Sequence, residues 1–129
     1  MKMMALLGRL LALKFRKRRR YRAKKGQIAV YENNPTGNQI GDISMGGLSY
    51  YYVDNGWRSN RNEYGLTLIT KNKRRMVQIA CKTVCDLEAG QIISQNHRIK
   101  RRCVRFQRLN HQQKDKLKEI IKDYTVDAP

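Results

Sequence analysis

The chain has 129 residues, of which 40% are hydrophobic and 29% are charged, and its formal net charge is +18. This length leaves room for one domain with a modest core and excludes two independently folded domains. The electrostatic field of such a positive chain attracts anionic partners, but the charge alone does not distinguish a nucleotide from a nucleic acid or an acidic membrane.

The N-terminal segment is apolar and runs into a dense basic stretch. Residues 3–13 are mostly apolar, which is well short of the roughly 20 residues that span a bilayer, and no signal-peptide cleavage pattern follows them. We predict a short helix over residues 1–15 that faces the folded domain itself, a second copy, a protein partner or a membrane surface. Its candidate contact residues are Leu6, Leu7, Leu10, Leu11 and Phe15.

Short β-strands and turns follow. Alternating or β-branched segments predict strands at 27–31, 39–43, 48–53, 64–70, 74–84, 90–94 and 98–109, with Asn-, Gly- and Pro-rich turns between them. Regular short strands of this kind favour a closed or nearly closed barrel. Asn110 and Gln113 match a helix capping box, and the spacing of Leu117, Ile120, Ile121 and Tyr124 predicts a helix that packs on the barrel. Residues 125–129 are predicted to be a tail.

The cysteines and histidines do not indicate a catalytic or metal site. Three cysteines are an odd number and give no disulfide framework. Cys81 and Cys85 would lie about 13 Å apart along one strand, too far to share a zinc ion. We therefore predict buried core cysteines and a reducing, cytoplasmic compartment. His97 and His111 lack a nucleophile or metal partner in their context, and we expect neither enzymatic activity nor a cofactor.

Two motifs carry most of the functional information. Arg18-x-x-x-Arg22 lies in the basic stretch, and the turn Asp42-Ile43-Ser44-Met45-Gly46-Gly47 follows about twenty residues downstream. Arginines form bidentate hydrogen bonds to phosphate or to the O6/N7 edge of guanine, and the turn supplies acceptors and close backbone approach. Arg16 and Arg20 have the same spacing as the first pair, so the register within residues 16–22 stays open.

In this order and at this spacing, the motif pair resembles the signature of the PilZ domain family. The resemblance covers residues 16–124, including a closing strand at 104–109 before the last helix, although Cys103 stands where the family commonly has glycine. It implies a mainly β fold, a six-stranded antiparallel barrel with a C-terminal helix. It also implies a bacterial receptor for the second messenger cyclic di-GMP.

The resemblance also implies the roles of individual residues. Arg18 and Arg22 would contact phosphate and the guanine Hoogsteen edge, and Asp42 would accept from guanine N1–H and N2–H₂. Ser44 would add a hydroxyl contact, while Gly46 and Gly47 would permit the turn and the close approach of the ligand. Lys17, just before the motif, favours a stacked pair of ligands, two per chain.

Ligand binding would order the basic segment over the barrel and signal to a protein partner. Self-association through the N-terminal helix and peripheral contact with a membrane are compatible with this reading. Two alternatives remain. One is a basic barrel that binds nucleic acid through charge and strand tyrosines. The other is a PilZ-like adaptor that binds no ligand.

Overall fold

The computed structural model describes residues 20–32, 37–54, 63–94 and 97–126, with side chains at 91–94 excepted. The predicted helix at residues 1–15, together with Lys17 and Arg18, lies outside the described residues. In chain order the elements are β1 (Tyr21–Ala23), β2 (Ile28–Tyr31), β3 (Asn38–Ile43), β4 (Gly47–Asp54), β5 (Glu63–Thr70), a 3₁₀ turn (Lys71–Lys73), β6 (Met76–Ser94), β7 (His97–Phe106), α1 (His111–Tyr124) and β8 (Thr125–Val126).

Six strands form a closed antiparallel barrel in the order β2-β5-β6-β7-β4-β3, and the pairing of β2 with β3 closes it. Strand β3 changes partner along its length. Its beginning pairs with β2 through Asn38 and Gln39, and its end pairs with β1 through Asp42 and Ile43. The predicted fold, a mainly β barrel with a C-terminal helix, is confirmed.

The core lies inside the barrel, where alternate strand residues point inward. Helix α1 begins at the predicted capping box, since the Asn110 side chain accepts from the Gln113 amide and the Gln113 side chain accepts from the Asn110 amide. Leu117 and Ile120 of α1 are fully buried. Burial of this kind stabilises the fold by about 1.5–3 kcal/mol per large apolar side chain. The buried strand residues are Ile28, Val30, Ile40, Ile43, Leu48, Tyr50, Leu66, Leu68, Val77, Ile79, Cys81, Val104 and Phe106.

Strand β6 differs from its prediction. The sequence predicted separate strands at 74–84 and 90–94, whereas the structure has one strand, Met76–Ser94, with register shifts after Thr83, Glu88 and Ile92. A bulge exchanges the inward and outward faces of a strand. Cys81, before the bulge, is buried as predicted. The core position predicted for Cys85 is wrong, because Cys85 follows the bulge and is only half-buried, as is Cys103 across from it.

Both ends of the described domain contain strands that the sequence did not predict. Tyr21–Ala23, assigned to a mobile basic segment, forms β1 against β3. Thr125 and Val126, assigned to the tail, form β8 against β1. These pairings attach the end of α1 and the end of the basic stretch to the same part of the barrel.

A polar network occupies the inside of one end of the barrel and centres on Arg102. The Arg102 guanidinium lies 2.8 Å from Glu32 Oε1, 3.1 Å from Asp86 Oδ2 and 4.4 Å from the centre of the Tyr52 ring. The Tyr52 hydroxyl donates to Asp86 at 2.6 Å. The Tyr50 hydroxyl donates to Glu32 and lies 3.0 Å from the hydroxyl of Tyr64. Four strands and the end of β2 therefore meet at one guanidinium.

Burial shifts the ionisation of this network. It raises the pKa of Tyr64 to about 12 and also raises the pKa of Tyr52, so both hydroxyls stay protonated donors at neutral pH. Burial also raises the pKa of Glu32, against the opposing effect of Arg102. Within the described ranges, no helix is both long and apolar enough to cross a membrane.

Candidate functional site

The antiparallel pairing of β1 with β3 brings the two sequence motifs together. Arg22 lies directly across from Asp42, and Tyr21 lies across from Ile43. Directly opposed residues on antiparallel strands have their Cβ atoms about 4.5–5.5 Å apart. Two residues twenty positions apart in the sequence therefore form one surface feature.

The Asp42 carboxylate is held by the barrel on one side. Its Oδ1 accepts from the Ser49 hydroxyl at 2.6 Å and lies 3.4 Å from a guanidinium nitrogen of Arg101. The same Arg101 nitrogen donates to the Ser49 hydroxyl at 3.0 Å. Oδ2 has a weaker neighbour, Arg20 at 3.8 Å, which is longer than a hydrogen bond. With the side chain 26% exposed, Oδ2 is the oxygen available to a ligand donor.

Arg22 differs from Arg20 in its surroundings. Arg20 is 75% exposed and forms the ion pair with Asp42. Arg22 is also exposed, and within the described residues its side chain has no hydrogen bond or ion pair. Side chains two positions apart on a strand share a face, and Arg20 and Arg22 line the same cleft as Asp42. Arg22 is the one whose donors are not engaged.

These residues line a cleft of about 810 Å³ between β1, β2 and the middle of β3. This volume is within the range of roughly 300–1,000 Å³ that ligand sites usually have. The lining includes five basic side chains, Arg20, Arg22, Lys24, Lys25 and Arg101, and one carboxylate, Asp42. The cleft therefore suits an anion that also presents hydrogen-bond donors.

Ser44 and Gly46 lie in the turn after β3 and Gly47 begins β4, and none of the three lines this cleft. Ser44 is buried; its amide donates to Gly47 O at 2.8 Å, and its hydroxyl accepts from the Gly46 amide at 3.1 Å. The Phe106 amide donates to Gly46 O at 2.8 Å, which ties the turn to β7. The hydroxyl predicted to contact a ligand is therefore engaged in shaping the turn.

Gly47 is required by the approach of β4 to β7. A Cβ at this position would lie 2.2 Å from the Val104 carbonyl oxygen, a backbone atom that cannot move aside without shifting the strand. The glycine therefore allows the start of β4, and the turn that precedes it, to lie close against β7.

We expect Gly47→Ala to lower the free energy of unfolding by about 2 kcal/mol, because forcing a methyl into a packed contact costs roughly 1–3 kcal/mol. Urea denaturation measures the change. Gly65→Ala is the matched control, since a Cβ at Gly65 meets nothing within 4 Å. Equal unfolding free energies for the two variants would contradict this role of Gly47.

Sequence reasoning missed three residues of the site, Ser49, Tyr51 and Arg101. Arg101 lies 6.0 Å from the Tyr51 ring and contacts Asp42 across β4. Its Nε is buried and has no hydrogen-bond partner in the described part of the chain, which is unfavourable. No local pattern links residue 101 to residue 42, because the link depends on the pairing of β7 with β4 and of β4 with β3.

The comparisons with known proteins bear on the fold. The chain is similar to a crystal structure of an uncharacterized protein from Legionella, with a TM-score of 0.51 and 16% sequence identity, over 80% of this chain and 89% of the other. No family model matches the chain, and no curated protein sequence matches it significantly. The likeness supports the barrel architecture alone.

Proposed function

We propose that this chain is a PilZ-type receptor for cyclic di-GMP. The observation that carries the proposal is the direct pairing of Arg22 with Asp42 beside a cationic cleft. Cyclic di-GMP combines two phosphates with two guanines, so it requires cations, planar donors and a carboxylate acceptor. The first sequence motif supplies the cations and donors, and the second supplies the carboxylate.

The proposed recognition divides the ligand between the two motifs. Arg22, with Arg18 from the preceding part of the chain, binds a phosphate and the O6/N7 edge of guanine through bidentate hydrogen bonds. Asp42 accepts from guanine N1–H and N2–H₂, with Oδ2 available and Oδ1 kept in place by Ser49 and Arg101. The Ser44 turn contributes by fixing the position of Asp42 rather than by a hydroxyl contact.

The excess of basic residues supports a stoichiometry of two ligands per chain. A stacked pair brings four negative charges, and close phosphates repel each other unless cations neutralise them. Five basic side chains line the described cleft, and Lys17 precedes the motif. Binding would order the remaining basic segment and present a changed surface to a protein partner in the cytoplasm.

Asp42→Ala tests the guanine contact. We expect this variant to bind cyclic di-GMP about 10–150-fold more weakly, the loss of a charge-assisted hydrogen-bond pair worth roughly 1.5–3 kcal/mol. Weak binding of cyclic di-AMP, which lacks N1–H and N2–H₂, should change little. Calorimetric titration measures both affinities and the stoichiometry.

Asp115→Ala is the matched control, because it removes the same charge from the exposed surface of α1, away from the cleft. Equal affinity of the unmodified chain for cyclic di-GMP and cyclic di-AMP would rule out the role of Asp42. A single-stranded oligonucleotide in the same titration tests the alternative. Tight, strongly salt-dependent oligonucleotide binding without cyclic di-GMP binding would favour the nucleic-acid reading.

A further inference from the structure

An apolar area lies on the outside of the barrel next to the cleft. Val53 and Leu87 are each 51% exposed, and Val84 is 60% exposed. We define the outer apolar face as Tyr51, Val53, Val84, Leu87 and Ile99 on strands β4, β6 and β7. Single exposed apolar residues are normal on protein surfaces, whereas a contiguous group marks a surface that something covers.

The strand registers place Tyr51, Val53, Leu87 and Ile99 on the same side of three neighbouring strands. Leu87 of β6 pairs with Arg101 of β7, which pairs with Tyr51 of β4. Val53 pairs with Ile99 in the neighbouring row. The bulge after Thr83 creates this face, because it turns Asp86 toward the internal network and leaves Leu87 outside. Arg101 connects the face to Asp42.

We propose that residues 3–13 of this chain dock on the outer apolar face. The described chain begins at Arg20, beside Asp42, at the edge of this face. Two strand spacings separate β1 from Tyr51 at the near edge of the face, and four separate it from Leu87 at the far edge, about 10 and 19 Å. The seven residue steps from 20 back to 13 reach about 23 Å when extended. The connection is therefore long enough to place the apolar segment on the face.

The composition of the segment matches the surface. Leu6, Leu7, Leu10 and Leu11 recur at a spacing that puts them on one side of a helix, and a run of five basic residues follows at 16–20. A tethered segment has an effective concentration near the millimolar range, which favours it over a second copy at ordinary protein concentrations. Docking would hold the connection, and with it Lys17 and Arg18, alongside Asp42. It does not depend on which anion the cleft binds.

Native thiols provide the test, because Cys85 and Cys103 pair across β6 and β7 in the outward-facing row next to Leu87 and Arg101. Both are half-buried, whereas Cys81 is buried in the core and reports general opening of the barrel. The rate at which a maleimide labels each cysteine is measured by peptide mass spectrometry on the full chain at one pH. A single pH is essential, because burial and Cys85 raise the pKa of the Cys103 thiol to about 11.

We expect Leu10→Gln and Leu87→Gln each to accelerate labelling of Cys85 and Cys103 by about tenfold or more, the change expected when one leucine loses its burial. Labelling of Cys81 should stay unchanged. Met76→Gln is the matched control, since Met76 is an exposed apolar residue of the same strand outside the face. All three replacements are neutral and leave the charge around the thiols unaltered.

Equal labelling rates in all variants would overturn the proposal. Protection that increases with protein concentration would assign the face to a second copy instead, and protection seen only with anionic vesicles would assign it to a membrane. If Leu87→Gln also accelerates Cys81, the barrel has loosened. Leu10→Gln then decides, because its substitution lies outside the barrel strands.

Discussion

Replacing Arg22 with alanine is expected to weaken binding of cyclic di-GMP severely while leaving the barrel folded. Arg22 lies directly across from Asp42 and is exposed, with its donors unengaged in the described part of the chain. Loss of one charge-assisted bidentate contact costs about 1.5–3 kcal/mol or more, which corresponds to roughly 10–150-fold in affinity. Calorimetric titration measures the loss, and thermal unfolding checks the fold.

Three further variants separate charge from geometry. Lys25→Ala removes the same charge from the lining of the same cleft and should weaken binding only slightly. Arg22→Lys keeps the charge but loses the planar fork, so most of the affinity should still be lost. Arg20→Ala should have a smaller effect than Arg22→Ala. If Arg20 proved essential for binding and Arg22 dispensable, the ligand-binding pair would be Arg16 and Arg20 instead of Arg18 and Arg22.

Replacing Arg102 with methionine is expected to lower the free energy of unfolding by about 3 kcal/mol. Removing one partner of a buried ion pair leaves the other charges uncompensated, which typically costs roughly 3–5 kcal/mol. The Arg102 side chain is 15% exposed and that of Glu32 is 23% exposed, so solvent screens part of this cost. The Tyr52 ring loses its guanidinium neighbour as well.

Urea denaturation of the unliganded chain measures the effect of Arg102→Met. Arg105→Met is the control, because Arg105 lies on the same strand but is exposed, and surface substitutions of this kind usually change stability by less than about 0.5 kcal/mol. If Arg102→Met lowered the free energy of unfolding as little as Arg105→Met does, the polar network around Arg102 would not stabilise the barrel.

The sequence predicted the barrel and the C-terminal helix because both depend on local patterns. Strand alternation, turn residues and the capping box at Asn110 and Gln113 each act over a few neighbouring positions. It did not predict the bulge after Thr83, since an extra residue leaves the alternation on either side looking regular. As a result, Cys85 was assigned to the core, and the outward position of Leu87 was not foreseen.

The candidate site was predictable in part for a related reason. Arg22 and Asp42 belong to short motifs, so the sequence identified them without knowledge of strand pairing. Arg101 and Ser49 act on Asp42 only through the pairing of β3, β4 and β7, which no local pattern specifies. The engagement of the Ser44 hydroxyl within its own turn also depends on the folded backbone.

The short pairing of β2 with β3 has a consequence for cooperativity. Among the described residues these strands share two register pairs, Ala29–Gln39 and Val30–Asn38, whereas β4 and β7 stay paired from Gly47–Arg105 to Asp54–Arg98. Local unfolding begins where a structure has the fewest interactions to lose. Because Ala29, Asn38 and Gln39 also line the cleft, an anion bound there would contribute its binding free energy to the barrel junction that has the fewest paired residues in the described part of the chain. Occupancy of the site and the integrity of the whole domain are thus thermodynamically linked.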